Sequence, residues 1–150
     1  MRNFTKLAAL ILGFASFAVR ADLEPWKDYD ISESVWSVTT VRVDSNMGDA
    51  YLEGLRETWV PGNEISKKLG QIEDYWIYSS DLPDSGDFNL LLVVKFKDTD
   101  ALAPNKARYD AFMKAYTKDR SDKATAKAQK DYPGMRKLTG NYLMREIKFK

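Results

Sequence analysis

The run Leu90-Leu91-Leu92-Val93-Val94 constrains the fold more than any other stretch of this chain. These consecutive apolar residues sit between Asp87 and Lys97, both charged. The run is short for a buried helix and suits a strand, Phe88–Lys97, covered on both faces. The rest of the chain must therefore supply a layer for each face.

The neighbouring segments say what those layers are. Val35 to Val43 is rich in β-branched residues and reads as a first strand. Asp44-Ser45-Asn46 turns into a helix, with Asn46 as its cap and Asp49 suited to the positive end of the helix dipole. Tyr51, Leu52, Leu55 and Trp59 share one helical face. Pro61-Gly62 is expected to kink or interrupt that helix, Ile65 and Leu69 to resume it, and Gly70 to cap it. Gln71–Ser80 reads as the second strand, and Asp81–Asp87, with Pro83 and Gly86, as a hairpin loop into the third. A second helix begins at Asp98-Thr99-Asp100, with Tyr109, Phe112, Met113 and Tyr116 on one face. Lys118–Lys130 is a solvated helix or mobile arm outside the core, ended by Tyr132-Pro133-Gly134-Met135, and Asn141–Phe149 is the last strand. The order β-α-β-β-α-β predicts an α+β, ferredoxin-like unit: a four-stranded antiparallel sheet with its helices on one face. The other face is left bare, and the economical cover is a second copy related by a two-fold axis.

The first 21 residues carry a different kind of information. Arg2 and Lys6 precede an apolar run, Leu7–Val19, and Val19-Arg20-Ala21 offers a small-residue cleavage site. This pattern predicts an export signal cleaved after Ala21, and a periplasmic or secreted protein. The run falls short of the about 20 apolar residues that span a bilayer, so no stable membrane anchor is expected after cleavage. The predicted organisation is signal 1–21, polar leader 22–33 and domain 34–150. The formal net charge is +1. Arg2, Lys6 and Arg20 fall in the signal, so the remainder is slightly acidic, which argues against nucleic acid as a partner. With no cysteine, the exported domain relies on its core rather than on disulfides. With no histidine, Ser-His-Asp systems, ordinary zinc sites and histidine-held haem are excluded.

The element order resembles that of the dimeric α+β barrel superfamily, which includes antibiotic-biosynthesis-type monooxygenases, stress-responsive barrel proteins and chlorite-dismutase-like proteins. A more local similarity lies in Tyr51-Leu52-Glu53-Gly54-Leu55 through Trp59, and in Lys67-Lys68-Leu69-Gly70-Gln71-Ile72-Glu73-Asp74-Tyr75. The resemblance covers residues 34–150. It implies a homodimer with two facing sheets and a pocket between each sheet and its helices. It implies no single activity, because this scaffold carries many. The haem-using branches commonly rely on a proximal histidine that this chain lacks, and no cofactor is expected.

Five residues are candidates for binding: Trp59, Trp76, Tyr78, Lys95 and Arg145. Lys95 and Arg145 read as cations on sheet faces, with Arg145 between Leu143 and Ile147. They either clamp a carboxylate or phosphate, or pair with Asp74, Glu146 or a partner subunit. Trp59, Tyr75, Trp76 and Tyr78 form the densest aromatic group. It lines an apolar ligand pocket or is ordinary packing, and alternation puts Trp76 and Tyr78 opposite Tyr75. Asp81, Asp84 and Asp87 lack the EF-hand spacing and read as a solvated loop rather than a metal site. Glu53 and Glu57 read as solvated, and Lys123, Lys127 and Lys130 as diluted by Asp119, Asp122 and Asp131. No residue is singled out as catalytic or metal-binding. The function expected is a non-catalytic homodimer that binds a small apolar or anionic molecule, or a partner. The alternatives are a cofactor-independent monooxygenase or isomerase, and an interaction protein using segment 118–131.

Overall fold

The computed structural model describes residues 22–150; the expected signal lies outside the described residues. In chain order the elements are β1 (Tyr29–Ile31), β2 (Val35–Val43), α1 (Gly48–Lys68), β3 (Asp74–Ser79), β4 (Leu90–Phe96), α2 (Lys106–Tyr116), α3 (Lys118–Asp131), β5 (Arg136–Met144) and β6 (Ile147–Phe149). β3, β4, β2 and β5, in that order, form a four-stranded sheet, antiparallel throughout.

Strand register fixes the faces. Val41 lies opposite Leu90 and Thr39 opposite Leu92, and Leu92 lies opposite Ile77. This is the helix side. Its core unites Val41, Val43, Tyr51, Leu55, Leu90, Leu92 and Tyr132, with Trp59, Ile77, Ala128 and Met135 packed around them. The opposite face carries Val38 beside Val93 and Tyr142, and Trp76 beside Val93. β4 therefore does present apolar side chains to both sides. Among the described residues, the helices cover only one of them.

α1 runs unbroken through Pro61, contrary to the expected kink or interruption. Proline removes the hydrogen bond to the Glu57 carbonyl, but packing holds the turns on both sides. Trp59 packs edge-on against Tyr75 at 5.3 Å between ring centroids. Beyond the proline, the Tyr75 hydroxyl donates to Glu64 and Lys67 pairs with Asp74 at 2.7 Å. The helix start also differs, because Asn46 takes a left-handed φ of 66° and the cap position falls to Met47, without a side-chain bond. The end matches expectation. Gly70 at φ 67° lets its N–H reach the Lys67 carbonyl and that of Gln71 reach Ser66, closing a Schellman turn.

The second helical region starts later than expected. Asp98 caps a single turn, Asp100–Leu102. Pro104 then forces Ala103 out of helical geometry, to ψ 143°. Asn105 restarts the chain as the cap of α2, accepting from the Arg108 N–H at 3.0 Å. Thr117, at φ 65°, separates α2 from α3. α3 is a formed helix with no fully buried residue, yet its Ala128 side packs on the core.

The last strand is also corrected. β5 begins at Arg136 rather than Asn141, and a bulge beside Thr40 and Val41 accommodates the added residues. The chain then breaks at Arg145-Glu146. β6 pairs with β1 instead, in a separate two-stranded ribbon with Tyr29 opposite Phe149. The polar leader therefore ends in a paired strand.

Candidate functional site

The five predicted binding residues fall in three places. Trp76, Tyr78 and Lys95 lie on the open sheet face. Trp59 lies on the opposite, helix side. Arg145 lies on neither sheet face, because the strand expected to carry it breaks there. Its Nη1 donates to the Ser32 and Glu33 carbonyls, both at 2.8 Å, and so ties the crossing of the two ribbon strands. Lys95 already has an anion: its Nζ is 2.7 Å from Glu73 and 5.1 Å from the Trp36 ring centroid. The pairing expected from sequence named Asp74, Glu146 or a residue of a partner subunit; Asp74 instead binds Lys67, whose hydrogen bond holds its carboxyl below the usual range.

The other charged candidates resolve into local pairs. Arg56 meets Glu53, Lys127 meets Glu57 and Asp131, and Lys123 meets Asp119. Asp84 faces Arg42 at 3.8 Å. Among the described residues, no group of three or more acidic, His or Cys side chains is placed to hold a metal ion.

The open face carries a continuous apolar plane. It is built from Trp76 and Tyr78 of β3, Leu91 and Val93 of β4, Trp36 and Val38 of β2, and Tyr142 and Met144 of β5. Tyr78, Tyr142 and Met144 are each more than half exposed.

A wide, open groove of about 400 Å³ lies on the other side, along the helices and the sheet, and forms the helix-side cavity. Leu92 of β4 forms its floor, Tyr51, Leu55 and Trp59 of α1 one wall, Phe112 and Tyr116 of α2 another, and Ala124 and Ala128 of α3 a third. α1 can approach this closely because residue 54 is glycine. A β-carbon there would sit 2.8 Å from the Tyr132 ring. Three hydroxyls around it, those of Thr58, Tyr116 and Tyr132, are engaged. Thr58 meets both the Gly54 carbonyl and the Tyr132 hydroxyl, and Tyr116 donates to the Thr58 carbonyl. The Tyr51 hydroxyl and Arg136 Nε are buried and make no well-formed hydrogen bond to any third group, facing each other instead. Burial pushes the Tyr51 phenol up, against the pull of the nearby Arg136 charge and of a hydrogen bond from Arg136. The Arg136 guanidinium lies over two rings, 5.2 Å from Tyr132 and 5.7 Å from Tyr51.

Tyr51, Tyr132 and Arg136 were not among the residues proposed from sequence. In the sequence Tyr51 reads as one member of a helical apolar face, and Arg136 precedes the expected last strand. The usable signal was Arg136 itself: a cation set opposite Val43 in a core register is out of place unless it serves a purpose.

No protein-family model matches the chain, and no curated protein matches it. Solved structures do. A NIPSNAP family protein of unknown function from Agrobacterium tumefaciens superposes with a TM-score of 0.52 at 17% identity, over 82% of this chain and 96% of that one. The fold is ferredoxin-like. Other ferredoxin-like or similar matches are more distant. A dimeric protein of unknown function from Bacteroides fragilis gives a TM-score of 0.41 at 10% identity, over 81% of this chain and all of that one. HapK from Hahella chejuensis gives 0.45 at 12% identity, over 75% of this chain and 91% of that one. At these identities the likeness is one of fold.

The ferredoxin-like core also contains a titratable pair outside the cavity's polar group. Burial, reinforced by its hydrogen bond to Glu64, pushes the Tyr75 phenol from 10.0 up to about 12. The folded protein thus holds this proton more tightly than the unfolded chain. The stability that results is complete below pH 10 and is lost as pH rises from 10 through about 12. Tyr75→Phe is expected to flatten the alkaline decline in stability over that window, read by denaturant unfolding at stepped pH. An equally steep decline in the variant contradicts the assignment.

Proposed function

We propose that this chain is an exported homodimer that binds a small molecule between its helices and its sheet without turning it over. The cavity carries this reading. It is largely apolar, with the half-buried Arg136 among its lining residues, and ligand sites commonly combine apolar walls with a few polar groups. Among the described residues no acidic side chain lines it, so they offer no carboxylate base there. The Tyr51 phenol, raised rather than lowered, is suited to donating a hydrogen bond and not to removing a proton.

The open face supports pairing with a second copy. Its centre is apolar, and the charges at its ends are neutralised within the chain by Lys95–Glu73 and Arg42–Asp84. A surface of that kind is compatible with itself across a two-fold axis. Strands about 4.8 Å apart, rising near 3.3 Å per residue, give a plane of roughly 20 by 25 Å. Two such planes in contact remove on the order of 1,000 Å² or more, which enters the range of specific interfaces. The N-terminal pattern supports export.

The test is native mass spectrometry of the protein recovered from the periplasm or medium. The expected mass is that of two chains beginning at Asp22, with a reproducible adduct on the order of a few hundred daltons, as suits a cavity of this size. A chain still beginning at Met1 overturns export, a single-chain mass overturns the dimer, and a dimer with no adduct overturns retained binding.

A further inference from the structure

The ribbon of β1 and β6 has one apolar side and one charged side. Tyr29 pairs with Phe149 and Ile31 with Ile147, so these four side chains point the same way. Asp30 and Lys148, paired between them, point the other way. We infer that the apolar side of the ribbon clasps the second copy of this chain, adding an arm contact to the pairing of the two sheets. The inference rests on the dimer reading above and adds a second surface to the same interface.

The argument begins with what a ribbon needs. Two strands alone are marginally stable in water and require something to pack against. This ribbon has little within its own chain. Ile147 is 55% exposed and Phe149 73%, and the contact Phe149 does make, edge-on to Tyr29 at 6.2 Å between ring centroids, is internal to the ribbon. Trp26, just before β1, is 69% exposed. It holds a left-handed φ of 64°, a strained conformation for a residue with a β-carbon. Its N–H donates to the Tyr29 carbonyl at 2.6 Å, and the Lys150 Nζ donates to its carbonyl at 2.5 Å, so the strained turn is locked in place. Phe149 and Trp26 are the two most exposed large apolar side chains among the described residues, and both belong to this one small feature. Strain that keeps an indole in solvent points to a contact made outside the chain.

Charge and area select a second copy as that contact. The ribbon's charges are matched locally: Lys150 with Asp30 at 3.0 Å, Lys148 with Glu146 at 3.3 Å and Lys27 with Glu24 at 3.1 Å. It therefore offers no positive surplus to an anionic lipid surface, whereas an apolar face backed by neutral pairs is compatible with another copy of itself. The sheet face alone removes on the order of 1,000 Å², the low end for a specific interface. The ribbon is about 10 Å long and 10 Å wide, roughly 100 Å² on its apolar side. Two ribbons, each covering an equal area of the other chain, add on the order of 400 Å² and bring the total within the standard range of about 1,600 ± 400 Å². Reach is no obstacle. Only Arg145 and Glu146 separate β6 from β5, whose Tyr142 and Met144 lie on the open face.

The test is sedimentation of the full exported protein over a concentration series, with Phe149→Ala beside the parent. Tyr109→Ala, a comparably exposed aromatic on α2, is the control. Phe149→Ala is expected to raise the dimer dissociation constant at least about tenfold, because the two-fold axis removes the ring twice. Tyr109→Ala should leave it unchanged. Helix and sheet signals by circular dichroism should be retained in both, since Phe149 lies outside the core. Hydrogen exchange gives a second readout: the ribbon amides should exchange slowly in the parent dimer and freely in the Val38→Glu chain, whose sheet face is charged. A parent dimer that Phe149→Ala does not weaken overturns the clasp and leaves the sheet pairing in place, as does equal ribbon exchange in the dimer and the single chain. A parent that is a single chain at every concentration overturns the clasp and the dimer reading together. Phe149-dependent co-sedimentation with phosphatidylcholine vesicles, with the dimer unaffected, assigns the ribbon to a bilayer and overturns the clasp.

Discussion

Leu55→Ala is expected to destabilise the protein by about 2–5 kcal/mol, the range for truncating a buried leucine. Leu55 is 1% exposed. It stands where α1 meets the sheet, in one cluster with Val41, Leu90, Leu92, Tyr51 and Tyr132. The loss has two parts. Removing the side chain forfeits its burial, and the space left behind does not fully collapse. Leu55 also borders the helix-side cavity, so water can enter the enlarged space, which favours the lower half of the range. The measurement is a denaturant midpoint with the slope checked for constancy, so that a change in stability is separated from a change in the unfolded state. Leu82→Ala, in the exposed β3–β4 loop, is the matched control and should stay within about 0.5 kcal/mol of the parent. A Leu55→Ala cost as small as the control's contradicts the packing of α1 on the sheet.

Val38→Glu is expected to convert the proposed dimer to a monomer. Val38 lies on the central strand β2, directly opposite Val93 on one side and Tyr142 on the other. A carboxylate there would be pressed into the apolar plane of the second copy without a partner. The effective penalty for burying an unpaired ion is several kcal/mol, and the two-fold axis imposes it twice. Each 1.4 kcal/mol is a tenfold change in dissociation constant, so the shift should exceed a thousandfold. Sedimentation at micromolar concentration reads the result directly. A variant that remains a dimer places the interface elsewhere. Retained helix and sheet signals by circular dichroism would separate dissociation from unfolding, since the charge in the lone chain meets water.

The ferredoxin-like order was legible from sequence because its strongest signals are local. β4 announces itself by its continuous apolar run, β2 by its β-branched residues, and α1 by a stripe that stays in phase. What was misread depended on contacts across the chain. Pro61 looks like a break when α1 is considered alone; Glu64, Lys67 and Trp59 hold it through contacts to β3 that no helical period encodes. The start of β5 was hidden because Arg136 and Lys137 are polar edge residues, and pairing with Val43 and Arg42 gives them their place. That error also hid the site. Arg136 becomes visible as a half-buried cation over the Tyr51 and Tyr132 rings only once it is in the sheet. Arg145, by contrast, was singled out for its charge, but its work is to hold the leader's carbonyls.

The position of β5 beside β2 has a kinetic consequence. The Thr39 hydroxyl and the Asn141 amide that join these strands are 102 residues apart in the chain. Pairing at that separation requires a very long loop to close before any of its contacts form, and folds dominated by such pairings assemble slowly. β4 is nearer to β2 in sequence and shares its local hairpin with β3, so three strands can be in place while the outer edge of β2 is still bare. During that interval its unpaired N–H and C=O groups, rich in Val and Thr on either side, form a template for another chain. The step that completes the sheet is thus also the step that removes its adhesive edge, and the time spent before it sets how dilute the folding protein must be kept.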